Sequence, residues 1–131
     1  MTNYLEILKA ARRSEFEIRA ELEHIERIHR ILKIPDRPLK YVEELTEKLA
    51  GLEETLNNNI DDAVDRKREA LEILSALIGD ERTVLYRYYI LGDDWRQIAE
   101  KLYISERQVF NIRKSAMDKL SERCTMNLNL Y

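Results

Sequence analysis

The sequence predicts an all-α protein, with a long, coiled-coil-like N-terminal antiparallel helical hairpin followed by a small helical unit. Three observations predict it. Glycine and proline are scarce, three and two in 131 residues, while 36% of the chain is charged and 44% hydrophobic. That balance favours helices over disorder or an all-β fold. Apolar residues recur at alternating spacings of three and four through most of residues 1–79, the period of a helix face. Two helix-start signatures, Asp94–Gln97 and Ser105–Gln108, stand eleven residues apart further on.

The first element covers about residues 4 to 34. Tyr4, Leu8, Ala11, Ile18, Leu22, Ile25 and Leu32 form one stripe, widened by Ile7, Ile28 and Ile31. Glu15 and His29 occupy two positions of that stripe, where a polar residue sets register against a partner helix. Glu15–Arg19, Glu23–Arg27 and Glu26–Arg30 have the i,i+4 spacing that supports an exposed face. Pro35-Asp36-Arg37-Pro38 ends the helix, because proline lacks an N–H and restricts the residue before it.

A second stripe follows in Val42, Leu45, Leu49, Leu52, Leu56, Ile60, Val64, Leu71, Leu74 and Ile78. It predicts a helix over 39–78, roughly 60 Å long at 1.5 Å per residue. Gly51 and Asn57-Asn58-Asn59 are weak helix formers, but the periodicity runs through them and the helix is taken as continuous. A short loop between two such helices makes an antiparallel hairpin. This half holds 13 basic and 17 acidic residues. It is expected either to fold back on itself alone or also to carry homo-oligomerisation, a dimer being favoured.

Gly79-Asp80 marks the boundary between a 1–79 hairpin and an 80–123 unit. Gly79 suits the left-handed position past a helix end, and Asp80 the N-cap of the next helix. Val84, Leu85, Tyr88 and Tyr89 share one face of a helix over about 81–91, closed by Gly92-Asp93. Beyond it come a helix of two turns, a three-residue turn and a longer helix beginning at Glu106. Ile98, Leu102, Ile104, Val109, Ile112, Ala116 and Leu120 are the expected interior, with Ala99 small where the helices approach. Trp95 is expected to pack against Tyr89 and the last helix.

That pattern is the helix-turn-helix, whose second helix enters the major groove of double-stranded DNA. With one face buried, the other presents Glu106, Arg107, Gln108, Phe110, Asn111, Lys114 and Ser115. Arginine can grip guanine, and Gln or Asn can pair with adenine. Arg107, Gln108, Asn111 and Lys114 are therefore the candidate base readers. Arg96, Ser105 and Arg113 are the candidate phosphate contacts. Phe110 is unusual on such a face and would meet a thymine methyl or a protein partner. Residues 106–123 hold five basic and three acidic side chains, so one copy offers few phosphate contacts.

Residues 80–122 resemble region 4 of sigma-70-type factors. Val84-Leu85, Tyr89, Trp95, Ile98-Ala99, Leu102, Ser105, Val109, Ile112, Ala116 and Leu120 fit its spacing without gaps. With the helical N-terminal half, the whole chain resembles small phage- and prophage-encoded regulators of the autolysin-regulatory (ArpU-like) and related late-gene-activator type. The resemblance implies a sigma region 4-like DNA-binding domain behind a variable helical segment, and control of phage late genes. Tyr103 departs from the pattern, which usually has glycine in the turn. Glu106 and Phe110 stand where basic or polar residues are usual.

Other chemistry finds no support in the residues. His24 and His29 lie about 140° apart around a helix, so they do not pair as metal ligands. There is no cysteine cluster, glycine-rich phosphate loop or nucleophile set, so no catalytic residue, metal or cofactor is expected, and the chain is not read as an enzyme. The single cysteine, Cys124, suits a reducing compartment, and no apolar run is long enough to span a membrane, so a cytoplasmic protein is expected. Residues 124–131 form a tail that frays unless Leu128, Leu130 and Tyr131 dock. Two alternatives to a DNA regulator remain open. One is an adaptor binding RNA polymerase or a sigma factor without DNA specificity of its own. The other is a small terminase-like DNA-packaging subunit.

Overall fold

A computed structural model describes residues 3–129, with side chains described for residues 3–123. Its elements are α1 (Tyr4–Leu32), α2 (Leu39–Leu74), α3 (Gly79–Tyr89), α4 (Trp95–Leu102) and α5 (Glu106–Asn129), and the described residues form no strand. The side chains of the expected tail, with Cys124 and the docking of Leu128, Leu130 and Tyr131, lie outside the described residues.

Helix α1 starts where the Asn3 side chain accepts a hydrogen bond from the Leu5 amide at 3.0 Å. It ends before the proline-flanked turn, in which Asp36 takes a left-handed conformation (φ 64°) that a short polar side chain tolerates. Helix α2 is unbroken through Gly51 and Asn57–Asn59. Three polar contacts fix the antiparallel register of the hairpin. Lys67 Nζ donates to Glu15 at 2.6 Å, Asn59 Nδ2 to Glu21 at 2.5 Å, and His29 Nε2 lies 3.4 Å from Glu53. Both interruptions of the α1 stripe thus meet a polar partner on α2. Of the three i,i+4 pairs expected on α1, Glu15–Arg19 closes at 3.1 Å; among the described residues the other two do not.

The hairpin has two apolar clusters. Ile25, Ile28, Leu49 and Leu56 fill its far half. At its base Leu8 and Ala11 of α1 and Ala70 and Leu74 of α2 join Leu77, Val84, Leu85, Tyr89, Ile98, Val109, Ala116 and Leu120 in one core. The core therefore crosses the chain boundary near Gly79, and the hairpin base packs directly on the C-terminal helices.

The buried side of α2 differs from the expected stripe. Ala63 and Ala70 are buried, while Ile60, Val64 and Leu71 are exposed. With Leu49, Leu56 and Leu77, these alanines follow a seven-residue repeat. Small residues there, opposite a half of α1 that buries Ala11 and Ser14, let the helices approach closely and turn the larger neighbours outward. Helix α2 also stops at Leu74, four residues earlier than the periodicity suggests, so Leu77 enters the core and Ile78 is left 81% exposed. Gly79 has the expected positive φ (60°), but Ile78 is the N-cap and Asp80 lies in the first turn of α3.

The α4–α5 unit is built as its capping signals imply. Asp94 Oδ1 accepts from the Gln97 amide at 2.7 Å, and Gln97 Oε1 accepts from the Asp94 amide at 2.9 Å. Three residues then connect α4 to α5. Tyr103 is the left-handed one (φ 57°, ψ 41°) and is 95% exposed. A bulky side chain there costs about 1–2 kcal/mol of conformational energy, and its exposed ring has few contacts to offset it. Tyr103→Gly should therefore stabilise the protein by about 1 kcal/mol, less than the full strain because glycine also loosens the unfolded chain. Chemical denaturation checks this; a loss of stability would show that the ring makes a compensating contact.

Candidate nucleic-acid interface

Helix α5 has one face fixed by the core: Val109, Ala116 and Leu120 are buried, with Ile112 packed against the same cluster. On the opposite side Arg107, Asn111 and Lys114 are exposed. Among the described residues none of these three has a hydrogen bond or ion pair in the structure. Phe110 lies beside them, 45% exposed, its ring 6.0 Å from that of Trp95. The spacing of 107, 111 and 114 keeps them on neighbouring turns of one ridge.

The other candidates separate from that ridge. Gln108 is occupied at the helix start: its Oε1 accepts from the Ser105 amide at 2.9 Å, while its own amide donates to Ser105 Oγ at 3.1 Å. Gln108 thus closes the cap of α5, and its Oε1 keeps one lone pair for any further donor. Ser105, its partner in the cap, is exposed at the α5 N-terminus, where unpaired amides favour an anion. Arg96 is exposed in the first turn of α4, 3.5 Å from Glu100. Arg113, an expected phosphate contact, is half-buried with its guanidinium 5.2 Å from the Trp95 ring centre, and it lines a cleft against α1. It is not part of the exposed ridge. Ser115 also turns away, donating to Glu81 of α3 at 2.8 Å.

Trp95 stacks on Tyr88, with centroids 3.7 Å apart and planes 6° from parallel, where Tyr89 was the expected neighbour. Tyr89 lies deeper, and burial pushes its hydroxyl pKa up. On the α3 side, Lys119 and Ser115 hold the Glu81 carboxyl below its ordinary pKa, burial opposing them only weakly.

Sequence reading missed the group that positions α4. Asp93 is 8% exposed in the α3–α4 connection; its carboxylate lies 2.8 Å from Lys101 of α4 and 3.3 Å from Arg87 of α3. Burial alone would raise its pKa, but the hydrogen bonds and charges of Lys101 and Arg87 outweigh it and hold the carboxyl below its usual range. From α1, Arg12 donates to the carbonyls of Tyr88 at 2.5 Å and Asp93 at 3.0 Å, and Arg19 donates to the Leu91 carbonyl. These cations cap the carbonyl end of α3, where the helix dipole favours positive charge. Gly92 (φ 81°) faces Arg19 so closely that a Cβ would lie 2.9 Å from its Nη2.

The lowered Asp93 carboxyl sets a pH dependence. A carboxyl whose folded pKa lies below its unfolded one stabilises the fold above the unfolded value, and this is lost as pH falls through the folded one. The thermal midpoint should fall as pH drops below about 4. Asp93→Asn should flatten part of that acid limb and cost about 1–2 kcal/mol at neutral pH, the partners being partly solvated. Melting curves at several pH values check both, and an unchanged acid limb in the variant would contradict them.

No family model matches the chain, and no curated protein or solved structure matches it.

Proposed function

We propose that this chain is a sequence-specific DNA-binding transcription regulator of phage or prophage genes, and not an enzyme. In this reading α4 and α5 act as a helix-turn-helix, and α5 enters the major groove of double-stranded DNA. The two-sided character of α5 carries the reading. Val109, Ala116 and Leu120 anchor it in the core, while Arg107, Asn111 and Lys114 are exposed and, among the described residues, have no hydrogen-bond or ion-pair partner. Unspent donors of those types on one helical ridge suit base edges. Arg96 and Ser105, exposed at the starts of α4 and α5, suit the flanking phosphates. The resemblance of residues 80–122 to sigma region 4 agrees with this use of the two helices.

The hairpin supplies the second copy. In its register Leu22 lies at the level of Ile60, as the antiparallel contacts Glu15–Lys67 and His29–Glu53 on either side of them require. Leu22, Ile60, Val64 and Leu71 remain exposed, an apolar row that a two-helix hairpin cannot cover alone. Pairing two hairpins would cover it and place two reading helices on one duplex, raising the apparent affinity of a weakly basic unit.

Binding-site selection from random duplexes, followed by gel shifts, tests the proposal. A discrete preferred sequence is expected, with Arg107→Ala and Asn111→Ala each losing about 1–3 kcal/mol of discrimination. Equal affinity for every duplex would overturn it. The exposed ring of Phe110 and the acidic N-terminal half favour a second reading, an adaptor that binds RNA polymerase or a sigma factor. Co-purification of polymerase without salt-sensitive DNA binding would select it.

A further inference from the structure

Between the first half of α1 and the middle of α5 lies an open cleft of about 590 Å³, its apolar lining formed by Leu5, Phe16, Tyr88, Tyr89 and Met117. Four cations border it: Lys9, Arg12 and Arg13 from α1 and Arg113 from α5, against the single carboxylate of Glu17. Arg12 is committed to the Tyr88 and Asp93 carbonyls. Among the described residues, Lys9, Arg13 and Arg113 form no ion pair, and the buried Nε of Arg113 has no acceptor. A guanidinium that borders a cleft without a carboxylate partner is a ready donor to an anion that enters there. A concave apolar lining of this size with a few convergent polar groups is the usual form of a small-molecule site.

We infer that this cleft binds a small organic anion, one carboxylate, sulfonate or phosphate group carried on a flat apolar body. The body rests against Phe16, Met117 and the edge of Tyr88, and the acid group meets Arg113 with Lys9 or Arg13. Arginine suits the role because its planar fork can donate to an oxyanion while still lying over the Trp95 ring. This site does not depend on the DNA reading. It does join α1, α3 and α5, so occupancy would brace the hairpin against the helices that carry the exposed ridge.

The protein carries its own reporter, because Trp95 is the only tryptophan and stacks on Tyr88, which lines the cleft. Titration with 8-anilinonaphthalene-1-sulfonate, followed by probe emission and by Trp95 quenching, should saturate at one equivalent per chain. Its uncharged analogue N-phenyl-1-naphthylamine should bind at least tenfold more weakly, as loss of a charge-assisted contact implies. Arg113→Gln with Lys9→Gln should weaken the sulfonate by a similar factor and leave the neutral probe unchanged. Should Arg113→Gln lower the melting midpoint, Lys9→Gln with Arg13→Gln, both on exposed side chains, gives the same comparison in a folded protein. 1-Naphthoate should displace the probe, and inorganic phosphate at equal concentration should not. Equal affinity for the charged and neutral probes, or variants that bind the sulfonate as the parent does, would overturn the site. Displacement by duplex DNA that also loses salt sensitivity in the variants would overturn it too, assigning these cations to the phosphate backbone.

Discussion

Leu8→Ala is expected to cost about 3–4 kcal/mol, among the largest losses available from a single side chain in this protein. Leu8 is fully buried although it lies only one turn into α1. It belongs to the cluster that includes Leu74 of α2, Val84 and Leu85 of α3, and Val109 of α5. Truncation removes the transfer energy of the lost carbons and opens a void between helices, which cannot collapse without moving elements from both halves of the chain. The informative readout is where the loss is felt. In urea, Trp95 fluorescence reports the C-terminal helices and far-UV circular dichroism is dominated by the hairpin. If the shared core makes one cooperative unit, both probes shift together and keep coincident midpoints. A Trp95 transition that stays at the parent midpoint while the helical signal moves would show that the hairpin melts independently.

The same core explains which parts of the fold were legible from sequence. The α4–α5 unit was readable because its signals are local. Asp94 with Gln97 and Ser105 with Gln108 form caps three residues apart, and Val109, Ala116 and Leu120 sit on one turn-by-turn row. The hairpin was readable as a hairpin for the same reason. Its inner face was legible at Leu8, Ile25, Leu49, Leu56 and Leu74 but not around residues 60–71, because periodicity weights large side chains and treats alanine as neutral. Ala63 and Ala70 are buried by close approach of a partner, a tertiary fact, and Val64 and Leu71 turn out as a consequence. Capping signals also compete with functional ones. Gln108 has a residue type that reads adenine and a spacing that closes a cap, and the cap holds it here. Arg113 lies off the exposed ridge for a third reason. Its row on α5 lies beside Val109 and Leu120, more than about 100° around the helix from Arg107 and Asn111, and α1 and Trp95 flank it there. Arg12 and Arg19, which reach 76 and 72 residues along the chain, left no local trace at all.

Arg12→Ala should cost about 2–4 kcal/mol and disturb the surroundings of Trp95 without touching it. One guanidinium serves several purposes at once. Its Nη1 donates to the Tyr88 and Asp93 carbonyls, and its carbon lies 3.7 Å from the Tyr88 ring centre and 4.7 Å from that of Phe16. Charge-assisted hydrogen bonds contribute about 1.5–3 kcal/mol each in isolation, and a cation over an aromatic face about 0.5–2. These terms share one side chain and do not add in full. Removal also leaves two part-buried carbonyls at the end of α3 without their donor, so the penalty exceeds the loss of attraction. Arg12→Lys should recover less than half of the stability, since a compact ammonium cannot span both carbonyls while lying flat on Tyr88. The consequence for the proposed reading helix is indirect but measurable. Tyr88 stacks on Trp95, and Trp95 opens α4, so loosening Arg12 should shift Trp95 emission and speed amide exchange across residues 90–95 before the hairpin loses helicity. A loss below about 0.5 kcal/mol, with Trp95 emission unchanged, would mean that the carbonyl end of α3 is held by the core alone and that Arg12 is a passenger on it.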